Sequence, residues 1–377
     1  TLAPDATPYD AEHPENLEDD QLYAPSAIVI EQSSGTVIYE KNADEVRYPA
    51  STTKVMTVLL GIIWAEANDA MESTVTVSDN AVALPSDSTT MGLEAGEEIN
   101  FHDLLVGTLL RSANEGANVI AETVSGSIPA FAAYMNEAAA AFGCTSTHFA
   151  NANGLHDPDH YTTARDMAII ARAAMQNDTF REIANTTSYG IAKTNKHKAR
   201  TITVRDNSFR TPGTSDNPNK YYYPAGTGIK TGFTNQAGYC YVGSASQNGV
   251  DLISVVFGAG KRGRWADTIK LMDYGFSQYE CVTPAELYAR NPITIQTTNY
   301  SLSDTNMGKI DLICRAADPT QTANIIATTA EIDAMAQNLR TTCLITYTRD
   351  FQAPVEAGEQ IGTMTYFDCN GNAVVYN

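Results

Sequence analysis

Hydrophobic positions along the chain change rhythm twice. Near the start, the short apolar stretches Ala27-Ile28-Val29-Ile30-Glu31 and Thr36-Val37-Ile38-Tyr39-Glu40 flank Gln32-Ser33-Ser34-Gly35. This pattern predicts two strands and a tight turn. The run Val55-Met56-Thr57-Val58-Leu59-Leu60-Gly61-Ile62-Ile63-Trp64 then follows Pro49, where a helix can start without losing a hydrogen bond, and reads as a helix buried on most sides. A helical period continues through 98–111 and 117–124, with Ser112 to Gly116 as the turn between them, and through 128–142 and 163–175. From Gly226 the rhythm returns to strands, at 226–233, 238–243 and 250–257, parted by turn residues as in an antiparallel meander. A last helix over 264–279 repeats Trp265, Ile269, Met272 and Phe276 at helical spacing. Strands at both ends with helices between them predict one α+β domain over residues 23–280. Beyond Cys281, short Thr-, Ile- and Val-rich segments such as Ile293-Thr294-Ile295-Gln296 predict a separate β-rich domain over 281–377.

Composition narrows the classes of function. A length of 377 residues with 43% hydrophobic content supports more than one core. The formal net charge of -20 argues against nucleic acid or an anionic membrane surface as partner, since both demand Lys and Arg. Residues 1–22 carry Asp5, Asp10, Glu12, Glu15, Glu18, Asp19 and Asp20 without a Lys or Arg, which predicts a flexible acidic leader. No apolar run reaches the roughly 18 residues of a membrane span. The start at Thr1, without a signal-like segment, reads as a mature or trimmed product whose targeting segments, if any, are missing. None of the 6 cysteines forms a C-x-x-C pair, and those in the last quarter are compatible either with disulfides, such as Cys314 with Cys343, or with buried thiols.

Candidate chemistry lies in three short strings. In Ser51-Thr52-Thr53-Lys54 a hydroxyl and an amine are three residues apart at a helix start, hence on one face. That is the arrangement serine needs as a nucleophile when lysine is its base. Ser-x-Asn occurs at Ser78, Ser112, Ser215 and Ser246, and only Ser112-Ala113-Asn114 sits in a turn between apolar helices. Lys230-Thr231-Gly232 lies in a predicted strand, where alternation sends Lys230 and Gly232 to one face. Each string is weak alone. Their order and context make the set informative, and it is the set shared by class A β-lactamases and penicillin-binding proteins.

On Tyr48-Pro49-Ala50-Ser51-Thr52-Thr53-Lys54, Asn153-Gly154-Leu155-His156, Tyr161 to Asp166, Gly228 to Thr234 and Asp273-Tyr274-Gly275-Phe276, the chain resembles the low-molecular-weight penicillin-binding proteins that act as serine-type D-alanyl-D-alanine carboxypeptidases. The resemblance spans about residues 24–279 and extends to the β-rich domain. It implies a penicillin-binding, β-lactamase-like fold, namely an antiparallel sheet flanked by helices with a helical subdomain, and no cofactor or metal. It also implies a peptidoglycan stem peptide ending in D-Ala-D-Ala as substrate, acylation by β-lactam antibiotics, and an extracytoplasmic location. Ser51 would attack the carbonyl between the terminal D-alanines, Lys54 would take its proton, and Ser112 would relay a proton to the leaving D-alanine. Asn114 would bond the substrate amide or Lys54, and Lys230 would supply a second cation. Backbone N–H groups of Ser51 and Phe233 would hold the oxyanion beside Gly232, and Thr231 and Arg264 would receive the terminal carboxylate. Arg264 fits a salt bridge at a helix start equally well. The chain departs from the family's pattern at Ala113, where many members have Gly, and in lacking a C-terminal membrane anchor, so membrane attachment rests on a segment missing from this chain.

Two rivals stay open on sequence grounds. A class A β-lactamase needs a Glu between the second and third strings, and Glu182-Ile183-Ala184-Asn185 only approximates it. A catalytically silent penicillin-binding or scaffolding protein would keep the fold and use the β-rich domain. His156 and His160, with His148 nearby, fall in a Pro- and Asp-containing loop and not on one helix face, which favours a bracing role for His156 over a zinc site.

Overall fold

The computed structural model describes residues 9–321, 323–368 and 371–377. The chain divides into two compact units, the first running to residue 247 and resuming over 251–277, the second comprising 248–250 and 278–377.

In the first unit a five-stranded sheet has the order β2-β1-β5-β4-β3, with β1 Ser26–Glu31, β2 Val37–Lys41, β3 Gly226–Thr234, β4 Gly238–Gln247 and β5 Val250–Ala259. The expected hairpin therefore pairs through β1 with the expected meander. Ser26 lies opposite Phe257 and Glu31 opposite Leu252, so residues far apart in sequence share one sheet. Strand β3 is at the edge, and its register sets Lys230 against Val242, Gly232 against Cys240 and Phe233 against Tyr239.

Helix α1, Lys54–Ala67, buries Met56, Val58, Leu59, Leu60 and Ile62 among the helices. Burial of each such side chain is worth about 1.5–3 kcal/mol. Around it lie α2 Phe101–Arg111, α3 Asn114–Ser125, α4 Ile128–Phe142, α5 Ala164–Gln176 and α6 Asp178–Asn185, and α7 Gly263–Gln278 follows β5. The starts of α2, α4 and α5 are set by Asn100, Ser127 and Thr163, whose side chains accept from the N–H groups of Asp103, Ala130 and Asp166. Each cap contributes about 1 kcal/mol. Residues 98–100, expected inside a helix, form a short strand paired with Thr74–Thr76, because the Asn100 cap stops the helix there. The expected turn at 112–116 is shorter, since Asn114 to Gly116 already belong to α3. The expected leader also departs from its prediction: residues 14–16 and 19–21 form 3₁₀ turns, and Leu17 and Leu22 are buried. Residues 1–8 of it lie outside the described residues.

The second unit is β-rich. Tyr279–Val282 pairs with Ile325–Thr328, Thr294–Gln296 with Lys309–Asp311, and Cys343–Tyr347, Gly362–Phe367 and Ala373–Tyr376 form a three-stranded sheet. Sequence reading missed its helices Pro284–Arg290 and Thr329–Gln337, although Thr283 with Glu286 and Thr328 with Glu331 form capping boxes that mark both starts. Leu287, Ile332, Leu339, Met364 and Val374 build its core. Cys314 and Cys343 are free thiols, so the disulfide reading for that pair does not hold, and burial pushes both up to about 11. Cys369 lies outside the described residues.

Candidate active site

The site begins at a backbone irregularity. Ala50–Thr53 forms a 3₁₀ turn that leads into α1 at Lys54, and Ala50 takes φ 50°, a left-handed conformation uncommon for alanine. The turn is held by its own threonines: Thr52 Oγ1 donates to Pro49 O at 2.7 Å and Thr53 Oγ1 to Ala50 O at 2.8 Å. Ser51 is thereby presented at the start of a rigid, buried helix.

Lys54 is wholly buried, with 0% exposure. Its Nζ lies 3.1 Å from Ser51 Oγ, 2.6 Å from Asn114 Oδ1 and 2.5 Å from the Asn153 carbonyl oxygen. Burial, and then the charge of Lys230, push its pKa well below the ordinary lysine value, while Glu115 pushes the other way. A cation without a paired carboxylate in such a place is costly, and shedding the proton relieves the cost.

Asn114 reaches Lys54 because Ser112 and Ala113 turn the chain between α2 and α3. Ser112 sits at φ 60° and is 8% exposed, and Ala113 is extended. Lys54 makes its hydrogen bonds with Ser51, Asn114 and Asn153, and Ser112 lies two residues before Asn114 at the end of α2. Glu115 then anchors the preceding loop, its Oε1 accepting from the N–H groups of Met91, Gly92 and Leu93. Its Oε2 is buried with no hydrogen-bond partner, and burial raises its pKa.

The opposite wall is β3. Gly232 is needed for close approach: a Cβ there would come within 2.9 Å of Pro49 O and 3.2 Å of Ser51 N. The strand therefore lies directly on the Ser51 turn. Lys230 is buried and donates to Thr231 O at 2.9 Å. Its pKa falls to about 7 through burial and then the charges of Arg264 and Arg205, with Asp206 opposing. Thr231 is half-buried, and the ring of Phe233 is 48% exposed and packs on Tyr239 with centroids 4.3 Å apart.

Arg264 is 1% exposed, at the start of α7. It pairs with Asp206 at 2.6 Å and lies over the rings of Trp265 and Tyr239, at 4.3 Å and 4.9 Å from their centroids. The salt-bridge reading thus describes it, and its charge reaches the site through Lys230. Glu182 is exposed on α6 and does not join the set around Ser51. His156 and His160 part company: His156 is exposed with its ring edge-on to Tyr48, and His160 is buried against Thr53. Asn153, Glu115, Asp206 and His160 were not singled out as site residues from sequence. The string Asn153-Gly154-Leu155-His156 did point at the right loop, but the contributing atom of Asn153 is a backbone oxygen, which residue type does not reveal.

Comparison with known proteins agrees in extent with this site. The family model of D-alanyl-D-alanine carboxypeptidases, peptidase S11, matches residues 12–261. The chain is 34% identical over 275 residues to D-alanyl-D-alanine carboxypeptidase DacF of Bacillus subtilis, covering 71% of this chain and 65% of that protein, just under two thirds of its length. It is 31% identical over 369 residues to DacC of Escherichia coli, covering 96% of this chain and 84% of that one. The Streptomyces K15 DD-transpeptidase crystal structure superposes with a TM-score of 0.60 at 31% identity, covering 68% of this chain and 98% of that chain.

Proposed function

The chain belongs to the D-alanyl-D-alanine carboxypeptidase family, serine hydrolases of the penicillin-binding fold, and from that membership we propose that it removes the terminal D-alanine of peptidoglycan stem peptides through an acyl-enzyme on Ser51. One observation carries the reading: Lys54 Nζ is buried, is pushed toward its neutral form and lies 3.1 Å from Ser51 Oγ. A neutral amine has two N–H bonds and one lone pair. Asn114 Oδ1 and Asn153 O can only accept, so they take the two N–H bonds, and the lone pair is left for the Ser51 hydroxyl. Burial, and then the charge of the second cation Lys230, lowers the Lys54 pKa and so favours the neutral amine that a base must be.

Ser51 Oγ attacks the carbonyl between the two D-alanines while Lys54 takes its proton. The oxyanion rests on the N–H groups of Ser51 and Phe233, and removal of one such donor typically costs 10²–10³ in rate. Ser112 returns the proton to the leaving amine. Thr231 receives the terminal carboxylate in the positive field of Lys230, with Arg264 acting through that field. Lys54 then activates the water that hydrolyses the ester. A β-lactam enters the same path as far as the acyl-enzyme. Since peptidoglycan lies outside the cytoplasm, we assign the protein to the cell envelope. No helix among the described residues is long and apolar enough to cross a membrane.

The test is release of D-alanine from a peptide ending in D-Ala-D-Ala. Release by the native chain and none by Ser51→Ala is expected. Equal release by both proteins, or none by either, would overturn the reading.

A further inference from the structure

The peptide plane joining Ala50 to Ser51 carries two opposed groups. In a planar trans peptide the carbonyl of Ala50 and the N–H of Ser51 point in opposite directions, so whatever fixes one aims the other. The carbonyl is fixed from two sides. Gly154 abuts it so closely that a Cβ would lie 2.0 Å from Ala50 O, and at φ +83° Gly154 holds a conformation natural to glycine. Thr53 Oγ1 donates to the same oxygen at 2.8 Å.

Thr53 is in turn held by His160, and the hydrogen-bond directions follow from the partners. Ala150 N–H donates to His160 Nδ1 at 3.0 Å, so Nδ1 carries no proton. Having given its own proton to Ala50 O, the Thr53 hydroxyl must accept at its second contact, so His160 Nε2–H donates to it at 2.7 Å. Thr53 is 0% and His160 2% exposed, and the His160 ring packs edge-on to Phe149 with centroids 5.6 Å apart. Burial keeps the imidazole neutral, with a pKa of about 4; His148, Lys54 and His156 push the same way and Asp157 opposes.

We propose that His160 is a positioning residue for acyl transfer: through Thr53 it locks the Ala50 carbonyl and thereby aims the Ser51 N–H at the developing oxyanion. The proposal rests on the reading of Ser51 as the nucleophile. It accounts for three features at once: a buried neutral histidine, a threonine in the turn and an alanine held at positive φ beside the nucleophile. The Ser51 nitrogen lies beside β3, where a Cβ on Gly232 would come within 3.2 Å of it.

The experiment measures penicillin acylation rate and the infrared stretch of the acyl carbonyl in full-length Thr53→Val, Thr53→Ser, His160→Phe, His160→Gln and the native chain. His160→Phe fills the ring's space but cannot donate to Thr53, so it should match Thr53→Val in both readouts, and a native rate and stretch in it would overturn the role of His160. Thr53→Val is nearly isosteric and removes only the hydroxyl. Tilting an oxyanion donor should slow acylation roughly 10- to 100-fold with little change in β-lactam binding, and shift the carbonyl stretch to higher frequency. Thr53→Ser keeps the hydroxyl and His160→Gln keeps a donor, so both should stay within about threefold of native with an unshifted stretch. A native rate and stretch in Thr53→Val would overturn the inference, and so would a Thr53→Ser protein as slow as Thr53→Val. If the substituted proteins fold poorly, the stretch, read only on acylated molecules, still decides. Absence of acylation in the native chain would instead overturn the underlying reading of Ser51.

Discussion

The two units bury different things. Up to residue 277 the interior holds Lys54, Glu97, Glu115, Lys230, Arg264 and Asp267, all nearly inaccessible to water. From residue 278 on, Thr297 is the one buried polar side chain among the described residues, and the core is otherwise apolar. Buried charge is a poor means of stabilisation, because desolvation offsets much of the attraction. Where charge accumulates in a core, function is the better explanation. By this criterion the buried Lys54 and Lys230 of the first unit point to chemistry, and substitutions in the apolar core of the second are expected to act on stability.

Substitutions that separate rate from stability test this contrast. Lys54→Met should reduce penicillin acylation by at least ~10⁴-fold, as expected for removing a catalytic base that works with its nucleophile as a unit, with the secondary structure kept by circular dichroism. In the second unit, Leu287→Ala empties a site at 0% exposure and should cost about 2–5 kcal/mol in denaturant unfolding, with the rate per folded molecule unchanged. A fall in kcat of the folded protein would break the contrast.

How far these positions could be read beforehand follows the locality of their signals. Ser51 and Lys54, Ser112 and Asn114, and Lys230 to Gly232 each lie within a few residues of one another, so helix-start, turn and strand signals that are local in sequence bring them together. The hairpin, meander and main helices were legible for the same reason. Asn153 acts through a carbonyl 99 positions from Lys54, His160 meets Thr53 across 107, and Arg264 meets Asp206 across 58. No local period encodes such contacts. The strand at 98–100 was mistaken for helix because Ile99 continues the apolar period of α2, and pairing with 74–76 overrides it.

A smaller effect concerns Lys230 and carries a sign. Its folded-state value of about 7 lies below the ordinary 10.4, so between the two the unfolded chain holds more protons and stability climbs with pH. The cost of this buried cation is fully present below pH 7. Lys230→Met should therefore stabilise the protein by on the order of a few kcal/mol at pH 6, an advantage that shrinks toward pH 10 while acylation suffers throughout. Chemical denaturation at both pH values checks this, and an advantage that grows with pH would contradict it.

The smallest effect lies in the rate profile of the native enzyme. Since Lys230 loses its proton near 7 in the free enzyme and a bound carboxylate favours the ammonium, the alkaline limb of kcat/KM should begin near pH 7, and that of kcat should lie higher. Coincident limbs would remove Lys230 from substrate binding.

The central claim, that Ser51 is the nucleophile activated by Lys54, is tested most directly by intact mass after incubation with penicillin G, with peptide mapping of the modified side chain. One adduct per chain, located on Ser51 and absent from Ser51→Ala, is the predicted result. An unchanged mass, or an adduct on another residue, would contradict it.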